Sequence, residues 1–224
     1  MTRIAFLASG QGGTLKAVHL AIEHLGLDLS ITEVIADREC GAVAFGRGVQ
    51  IPHRVIPYDK SDDSALGSAV RGLNADILVT TFNRILSPRV LEAARGEWVN
   101  LHYSLLPAFG GMIGMKTLEV ARERGVQWVG ATCHTVTPSV DAGPILAQCV
   151  LAPHWEHEPI AQTQDIVFRS ACLTLLGVLL ARAGGDHPAT ESTTEIAGRP
   201  VHFSPGLAFD PGVLGEQYWE SVRK

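Results

Sequence analysis

The chain has 224 residues, of which 46% are hydrophobic and 18% charged, and its formal net charge is −5 at pH 7. This length and composition indicate an α/β protein with a sizeable core, and the absence of a Lys/Arg block disfavours a nucleic-acid partner. No apolar run reaches the ~18 residues that cross a bilayer, no signal-peptide pattern is present, and the four cysteines form no Cys-x-x-Cys pair. We therefore expect a cytoplasmic protein with no membrane partner, no disulfide scaffold and no cysteine zinc site.

The first half of the chain alternates strand and helix patterns. Short apolar runs bounded by turn residues predict strands at residues 3–8, 31–36, 53–56 and 76–81. Amphipathic or small-residue stretches predict helices at residues 15–25, 40–49 and about 61–73. Because strands and helices alternate, we expect a doubly wound, Rossmann-like sheet that is mostly parallel.

The second half adds a hairpin and a tail to this pattern. Ser87 and Pro88 are typical of the cap and the first residue of a helix. Strands are expected at residues 98–102, 128–136 and 145–151, the last two as an antiparallel hairpin, and helices at 115–124 and 158–183. Residues 186–224 are rich in Pro, Gly and Thr, which predicts a wrapping tail with a short helix from Gly215. We thus expect one domain at residues 1–185 and a packed tail at 186–224.

A glycine loop, Gly10-Gln11-Gly12-Gly13-Thr14, follows the first predicted strand. Glycines let backbone N–H groups approach a ligand and a helix N-terminus favours negative charge, so the loop suits a phosphate or a carboxylate. A tight turn is the alternative, and Thr14 is a possible helix cap. Leu15 stands where a dinucleotide fingerprint has its third glycine. Asp37, after the second strand, is therefore interpreted as a strand-end or cap residue and not as a ribose-binding acid.

Asn100 and His102 alternate along the strand at residues 98–102, so their side chains point the same way. At the carboxyl end of a parallel strand, an amide can stabilise an oxyanion and an imidazole can transfer protons near neutral pH. Ordinary strand-end polar residues give the same pattern. Asp141, in the hairpin loop, would raise the pKa of a nearby imidazole, or would only hold its own turn. His134 is interpreted as a core residue or as a support for another side chain.

Four motifs, in this order, give the chain a resemblance to a known family. They are Ser9-Gly10-Gln11-Gly12, Phe82-Asn83-Arg84-Ile85-Leu86-Ser87-Pro88, Asn100-Leu101-His102-Tyr103-Ser104-Leu105-Leu106-Pro107 and Val140-Asp141-Ala142-Gly143-Pro144-Ile145. Together they resemble the folate-dependent formyltransferases, and most closely the phosphoribosylglycinamide formyltransferase branch of purine synthesis. The resemblance extends over about residues 3–152.

The resemblance implies that a formyl group passes from the co-substrate 10-formyltetrahydrofolate to the primary amine of a small acceptor, by direct attack and without a metal. Residues 1–185 would then be the catalytic domain. Separately, a doubly wound sheet of this size can pair through an edge, so we expect a monomer or a homodimer. The catalytic residues that it implies are Asn100, His102 and Asp141. The folate-binding residues are Arg84, Ile85, Leu86, Val136 and Val140, and the residues for the phosphate of the amine substrate are Gly10, Gly12, Gly13 and Thr14.

Several positions depart from that branch and leave the acceptor open. Gly13 and Thr14 stand where a serine and an asparagine are usual, Tyr103 where a proline is usual, and Phe168-Arg169 where a Glu-His pair is usual. The amine is therefore glycinamide ribonucleotide or another compound. Two further alternatives are hydrolysis of 10-formyltetrahydrofolate, with water as acceptor, and a non-catalytic dinucleotide- or ligand-binding module.

Overall fold

A computed structural model of the protein describes residues 1–184 and 190–224. The chain forms two compact units. The first unit consists of Met1–Asn100, Val136–Ser139 and Leu214–Lys224, and the second of Leu101–Thr135 and Val140–Val213.

The predicted elements up to the long apolar helix are all present, with ends that differ from the prediction by about three residues or fewer. The strands are β1 (Thr2–Ala8), β2 (Leu29–Ala36), β3 (His53–Val55), β4 (Ile77–Thr81), β5 (Glu97–His102), β6 (Val129–Thr135), β7 (Ile145–Leu151), β8 (Ser192–Ile196) and β9 (Arg199–Ser204). The helices are α1 (Gly13–Leu25), α2 (Gly41–Gly48), α3 (Ser64–Arg71), α4 (Pro88–Ala93), α5 (Lys116–Glu123), α6 (Ile160–Arg182) and α7 (Glu216–Arg223).

The first unit is built on parallel strands in the order β3-β2-β1-β4-β5. β1 pairs on both sides and its residues from Ile4 to Ala8 are at most 1% exposed, which explains their continuous apolar character. The strand order reverses between β1 and β4. The loops that follow these two strands therefore flank the switch point, where open parallel sheets bind ligands. This sheet confirms the mostly parallel α/β class.

Capping and packing contacts fix the helices of the first unit. Ser87 accepts a hydrogen bond from the N–H of Val90 at 3.2 Å and Pro88 is the first residue of α4, as predicted. The C-terminal α7 packs on α1, where the hydroxyl of Tyr218 donates to the carbonyl of Ala17 at 2.5 Å. The last residues of the chain are thus anchored to the helix that follows the glycine loop.

The second unit contains antiparallel strands in the order β6-β7-β9-β8. The β6–β7 pair is the predicted hairpin, and its register shifts between Cys133 and His134. α6 packs on β6 and β7. This helix has 23 residues and is long and apolar enough to cross a membrane by length and composition, but 67% of its apolar stretch is buried inside the protein. Here it therefore acts as a core helix.

A buried ion pair ties the segment before α6 to β9. Nη1 of Arg199 lies 2.9 Å from both carboxylate oxygens of Glu158, and the two side chains are 9% and 7% exposed. Burial by itself would raise the pKa of Glu158, but hydrogen bonds from Thr163 and Arg199 outweigh it and the pKa lies below its usual value. The charged pair is therefore the stable form at neutral pH.

The C-terminal segment contains two strands that the sequence analysis did not predict. Residues 199–204 alternate between buried and exposed, which is the period of a strand, but Pro and Gly nearby suggested only turns. Pro200 pairs with Glu195 of β8 and lies outside the ladder to β7, so its missing N–H is tolerated. The expected helix after Gly215 is α7. The predicted boundary between residues 185 and 186 lies outside the described residues, and the division into domain and tail stays a prediction.

Candidate active site

The carboxylate of Asp141 lies between two imidazoles in the second unit. Its Oδ2 is 3.5 Å from Nδ1 of His102, and its Oδ1 is 3.6 Å from Nε2 of His134. The N–H of Gly111 also donates to Oδ2 at 2.7 Å. The hydrogen bond from His134, with that from Gly111, holds the pKa of Asp141 below its usual value although burial opposes this. Asp141 therefore stays ionised and presents a negative charge to both rings.

His102 ends β5, and its side chain is 7% exposed. Its Nε2 lies 3.2 Å from the carbonyl oxygen of Phe109. A carbonyl only accepts hydrogen bonds, so Nε2 carries a hydrogen. The pKa of His102 lies below its usual value, because burial outweighs the charge of Asp141 and the carbonyl of Phe109, which both act in the opposite direction. Asp141 is thus the group that favours the charged form of an imidazole in a site that disfavours charge.

The loop after β5 is held in place by side-chain hydroxyls. Thr132 of β6 accepts from the N–H of Leu106 at 3.1 Å and donates to the carbonyl of Ser104 at 2.7 Å. Ser104 in turn donates to the carbonyl of Ala108 at 2.5 Å. These bonds fix the backbone immediately before Phe109, whose carbonyl accepts from the imidazole. The loop therefore holds a hydrogen-bond acceptor beside Nε2 of His102, opposite the carboxylate at Nδ1.

In the first unit, Asn100 lies on β5 opposite Thr80 of β4. Its amide nitrogen donates to the carbonyl of Thr80 at 2.9 Å, which fixes the plane of the amide group. β5 contains both Asn100 and His102, as the sequence predicts.

The predicted anion loop contains glycines with different structural requirements. Gly12 has a φ of +77°, and a Cβ there would lie 2.7 Å from the Cα of Ala42 in α2. Packing therefore requires this glycine. At Gly10 a Cβ would meet no atom within 4 Å, so packing does not require a glycine there. Gly13 begins α1, and the cap position belongs to Gly12 without a side-chain bond, so the possible capping role of Thr14 is wrong.

The predicted folate-binding residues lie in both units. In the first unit, Leu86 is 6% exposed and belongs to a hydrophobic cluster against which Val136 also packs. The neighbouring Ile85 is 53% exposed. In the second unit, Val140 is 46% exposed. The structure thus brings Leu86 and Val136 into one cluster and leaves two apolar side chains at the surface.

Arg84, the fifth predicted folate residue, has an acidic partner that the sequence analysis did not assign to it. Its Nε lies 3.5 Å from the carboxylate of Asp37, which is 3% exposed and also accepts from Arg38 at 2.5 Å. Burial would raise the pKa of Asp37, but hydrogen bonds from Arg38, Ser9 and Arg84 outweigh it and the pKa lies below its usual value. Asp37 thus forms ion pairs with Arg38 and Arg84 in addition to following the end of β2.

Tyr103, Phe168 and Arg169, which depart from the predicted branch, lie in the second unit. The carbonyl of Tyr103 accepts a hydrogen bond from Thr117 of α5. Phe168 and Arg169 lie within α6, and Nε of Arg169 is 2.7 Å from the carboxylate of Asp165, with 6% of the arginine side chain exposed. Among the residues that the structure describes, no group of three or more His, Cys, Asp or Glu side chains is placed to hold a metal ion.

The comparison with protein families decides the classification. Residues 2–159, well over half of the chain, match the family described as Formyl transferase. The chain belongs to this family. The resemblance predicted from the four motifs is therefore confirmed.

Two relatives show how much of the chain is similar to known proteins. The phosphoribosylglycinamide formyltransferase of Mycobacterium tuberculosis is 35% identical over 152 residues, which cover 65% of this chain and 69% of the relative. The formyltetrahydrofolate deformylase of Escherichia coli is 28% identical over 165 residues, which cover 71% of this chain and 57% of the relative. The chain thus spans little more than half the length of that deformylase.

The solved structure of phosphoribosylglycinamide formyltransferase from Coxiella burnetii, in complex with CHES, matches with a TM-score of 0.73 and 27% identity. The match covers 89% of this chain and 95% of that structure. This family member has the same fold as the present chain.

The contact between His134 and Asp141 was not evident from the sequence. His134 was interpreted as a core residue or a support, and the structure shows a buried ring that contacts Asp141. Its Nδ1 lies 3.0 Å from the carbonyl of Thr135 while its Nε2 faces the carboxylate of Asp141, so both ring nitrogens lie near hydrogen-bond acceptors. The only signal in the sequence was a histidine in the strand before the hairpin loop that carries Asp141.

Proposed function

We propose that this protein transfers a formyl group from 10-formyltetrahydrofolate to the primary amine of a small acceptor. The observation that carries the proposal is the buried contact between Asp141 and His102, because it places a fixed negative charge beside an imidazole that bears a hydrogen on Nε2. Membership of the formyl transferase family supports formyl as the transferred group and folate as its carrier.

In this mechanism the amine nitrogen attacks the formyl carbon, and the electrons of the C=O bond move to its oxygen. Asn100 and protonated His102 stabilise the resulting oxyanion by hydrogen bonds. Asp141 stabilises the charge on His102 and helps to remove a proton from the attacking nitrogen, directly or through water. When the tetrahedral intermediate collapses, the bond to the folate nitrogen breaks and that nitrogen takes up one proton. No covalent intermediate on the protein is needed.

Stabilisation of the oxyanion by His102 requires that the loop after β5 give up one hydrogen bond. In the structure, Nε2 of His102 donates to the carbonyl of Phe109. The formyl oxygen would take the place of this carbonyl as acceptor, so binding of the donor exchanges one hydrogen bond for another. The exchange favours the reaction when the new acceptor carries negative charge, because charge-assisted hydrogen bonds are roughly twice as strong as neutral ones.

Substrate binding is assigned to two segments of the first unit and one residue of the second. We propose that Arg84, Ile85, Leu86 and Val136, together with Val140, bind the folate. The loop of Gly10, Gly12, Gly13 and Thr14 would bind an anionic group of the acceptor with its backbone N–H groups at the start of α1. The proposed acceptor is glycinamide ribonucleotide or an amine of similar charge, and the proposed setting is the cytoplasm, as a monomer or homodimer.

Hydrolysis of 10-formyltetrahydrofolate is the second candidate, and the likeness to formyltetrahydrofolate deformylases favours it. Water would replace the amine in the same attack, with formate and tetrahydrofolate as products. The same side chains would serve both reactions, so the acceptor distinguishes them.

The test measures release of tetrahydrofolate from 10-formyltetrahydrofolate, with glycinamide ribonucleotide in one sample and no acceptor in the other. Release only with the amine is the expected result. Release in both samples at the same rate would identify a hydrolase. If neither sample releases tetrahydrofolate although the protein binds folate, the acceptor is another amine or the protein is a ligand-binding module. A wild-type protein that binds no folate would refute the proposal.

A further inference from the structure

The loop between β4 and α4 encloses the hydroxyl of a buried tyrosine. Tyr58, which lies between β3 and α3, is 8% exposed. Its hydroxyl donates to the carbonyl of Ile85 at 3.2 Å and accepts from the N–H of Ser87 at 2.9 Å. One hydroxyl thus connects the backbone on both sides of Leu86. Neither bond can be replaced from the ring alone, since the hydroxyl is the only polar group of the side chain.

The ring of Tyr58 packs under the same loop. It belongs to the hydrophobic cluster that contains Leu86 and Val90, and its centroid lies 6.0 Å from that of Phe82 in a tilted arrangement. Leu86 therefore points into the core while Ile85 is 53% exposed. Tyr58 thus contacts the loop both through its ring, in the cluster with Leu86, and through its hydroxyl, at Ile85 and Ser87.

We propose that Tyr58 is a positioning residue for the folate donor. The inference rests on the proposed function, in which Arg84, Ile85 and Leu86 bind the donor. Tyr58 itself would not touch the donor. By engaging the carbonyl of Ile85 and the N–H of Ser87, it holds the loop in one conformation before the donor arrives. Such preorganisation strengthens binding because less conformational freedom is lost when the ligand binds.

The substitution Tyr58→Phe tests this, because it keeps the ring and removes only the hydroxyl. We expect the Kd of tetrahydrofolate, measured by calorimetry on the full-length protein, to rise about tenfold, which corresponds to about 1.4 kcal/mol. The KM for 10-formyltetrahydrofolate should rise in parallel, whereas kcat at saturating donor should stay within about twofold. Hydrogen exchange at the amide of Ser87 should become faster, because that amide loses its acceptor.

Tyr218→Phe is the matched control, because its hydroxyl also donates to a backbone carbonyl, that of Ala17 in α1. It should leave the Kd of tetrahydrofolate within about twofold even if it lowers the melting temperature. Equal folate affinity of Tyr58→Phe and wild type would overturn the inference. So would losses of affinity in both variants that follow their losses of stability. A wild-type protein that binds no tetrahydrofolate would instead overturn the proposed function on which the inference rests.

Discussion

Replacement of Asp141 by asparagine is the sharpest perturbation of the proposed chemistry. Asn has the same shape, tolerates the left-handed backbone that Asp141 adopts with a φ of +50°, and retains an oxygen for the N–H of Gly111. What it removes is the negative charge between His102 and His134. The change therefore tests the charge and not the fold.

The expected loss follows from the distance between the two charges. Unit charges 3.5 Å apart, as between Asp141 and His102, interact by about 1 kcal/mol in water and by about 5 kcal/mol at an effective dielectric of 20. The Asp141 side chain is 15% exposed, so a value of about 2–4 kcal/mol is reasonable. That corresponds to a decrease of roughly 30- to 1000-fold in the rate of formyl transfer.

The assay is release of tetrahydrofolate at saturating donor, with the Kd of tetrahydrofolate measured alongside. The rate of formyl transfer should fall by the factor given above. The Kd of tetrahydrofolate should stay within about threefold of the wild-type value, because Asp141 is not assigned to folate binding. The pKa of His102 should fall further, since burial would act with less opposition. Asp28→Asn, at a side chain that is 78% exposed, is the control and should retain wild-type activity. Activity of Asp141→Asn within about threefold of wild type would refute the assigned role.

Three further predictions concern pH dependence, stability and the glycine loop. Substitution of His134 by leucine should move the acid limb of the pH–rate profile to higher pH, because the hydrogen bond from His134 would no longer lower the pKa of Asp141. An unchanged acid limb would contradict this. Arg199→Met should lower the free energy of unfolding in urea by about 3 kcal/mol through an unpaired buried carboxylate, whereas Arg223→Met at an exposed pair should cost less than about 1 kcal/mol. The Arg199 effect should shrink as the pH falls below about 4.5, where the carboxylate is protonated in the unfolded state. Gly12→Ala should lower the free energy of unfolding by at least about 2 kcal/mol, because Gly12 has a positive φ and a Cβ there would contact α2. Gly10→Ala should leave the free energy of unfolding unchanged and raise the KM of an anionic acceptor. Equal melting temperatures for the two variants would contradict the first expectation.

The parallel half of the fold could be predicted because its signals are local. The strands β1 and β4 are short, mostly apolar runs that read as buried strands from their own residues. Ser87 and Pro88 define the start of α4 through contacts within four residues. By contrast, β9 depends on its pairing with β7, and β8 depends on its pairing with β9. Pro200 looks like a turn signal until its place outside the ladder between β7 and β9 is known. Local composition carries no information about such pairing.

The residues of the candidate site differ in the same way. Asn100 and His102 could be proposed from the sequence because side chains alternate along a strand. The contact between His134 and Asp141 depends on the register shift in the β6–β7 hairpin and on the positive φ of Asp141. Neither feature is encoded in the spacing of residues along the chain. The contacts of Tyr58 could not be predicted for a similar reason, because its bonds to Ile85 and Ser87 join residues 27 and 29 positions apart.

The acceptor has to be decided by the glycine loop and not by the catalytic cluster. The carboxylate and imidazole would promote attack by an amine and by water alike, since both steps pass through the same oxyanion. Water carries no anionic group, so a hydrolase has no use for backbone N–H groups at the start of α1. If Gly10→Ala slows transfer to an amine but leaves release of tetrahydrofolate without acceptor unchanged, the loop binds the acceptor and the protein is a transferase. If it slows neither, the loop is only a turn, and the flexibility of Gly10 has no role in the reaction.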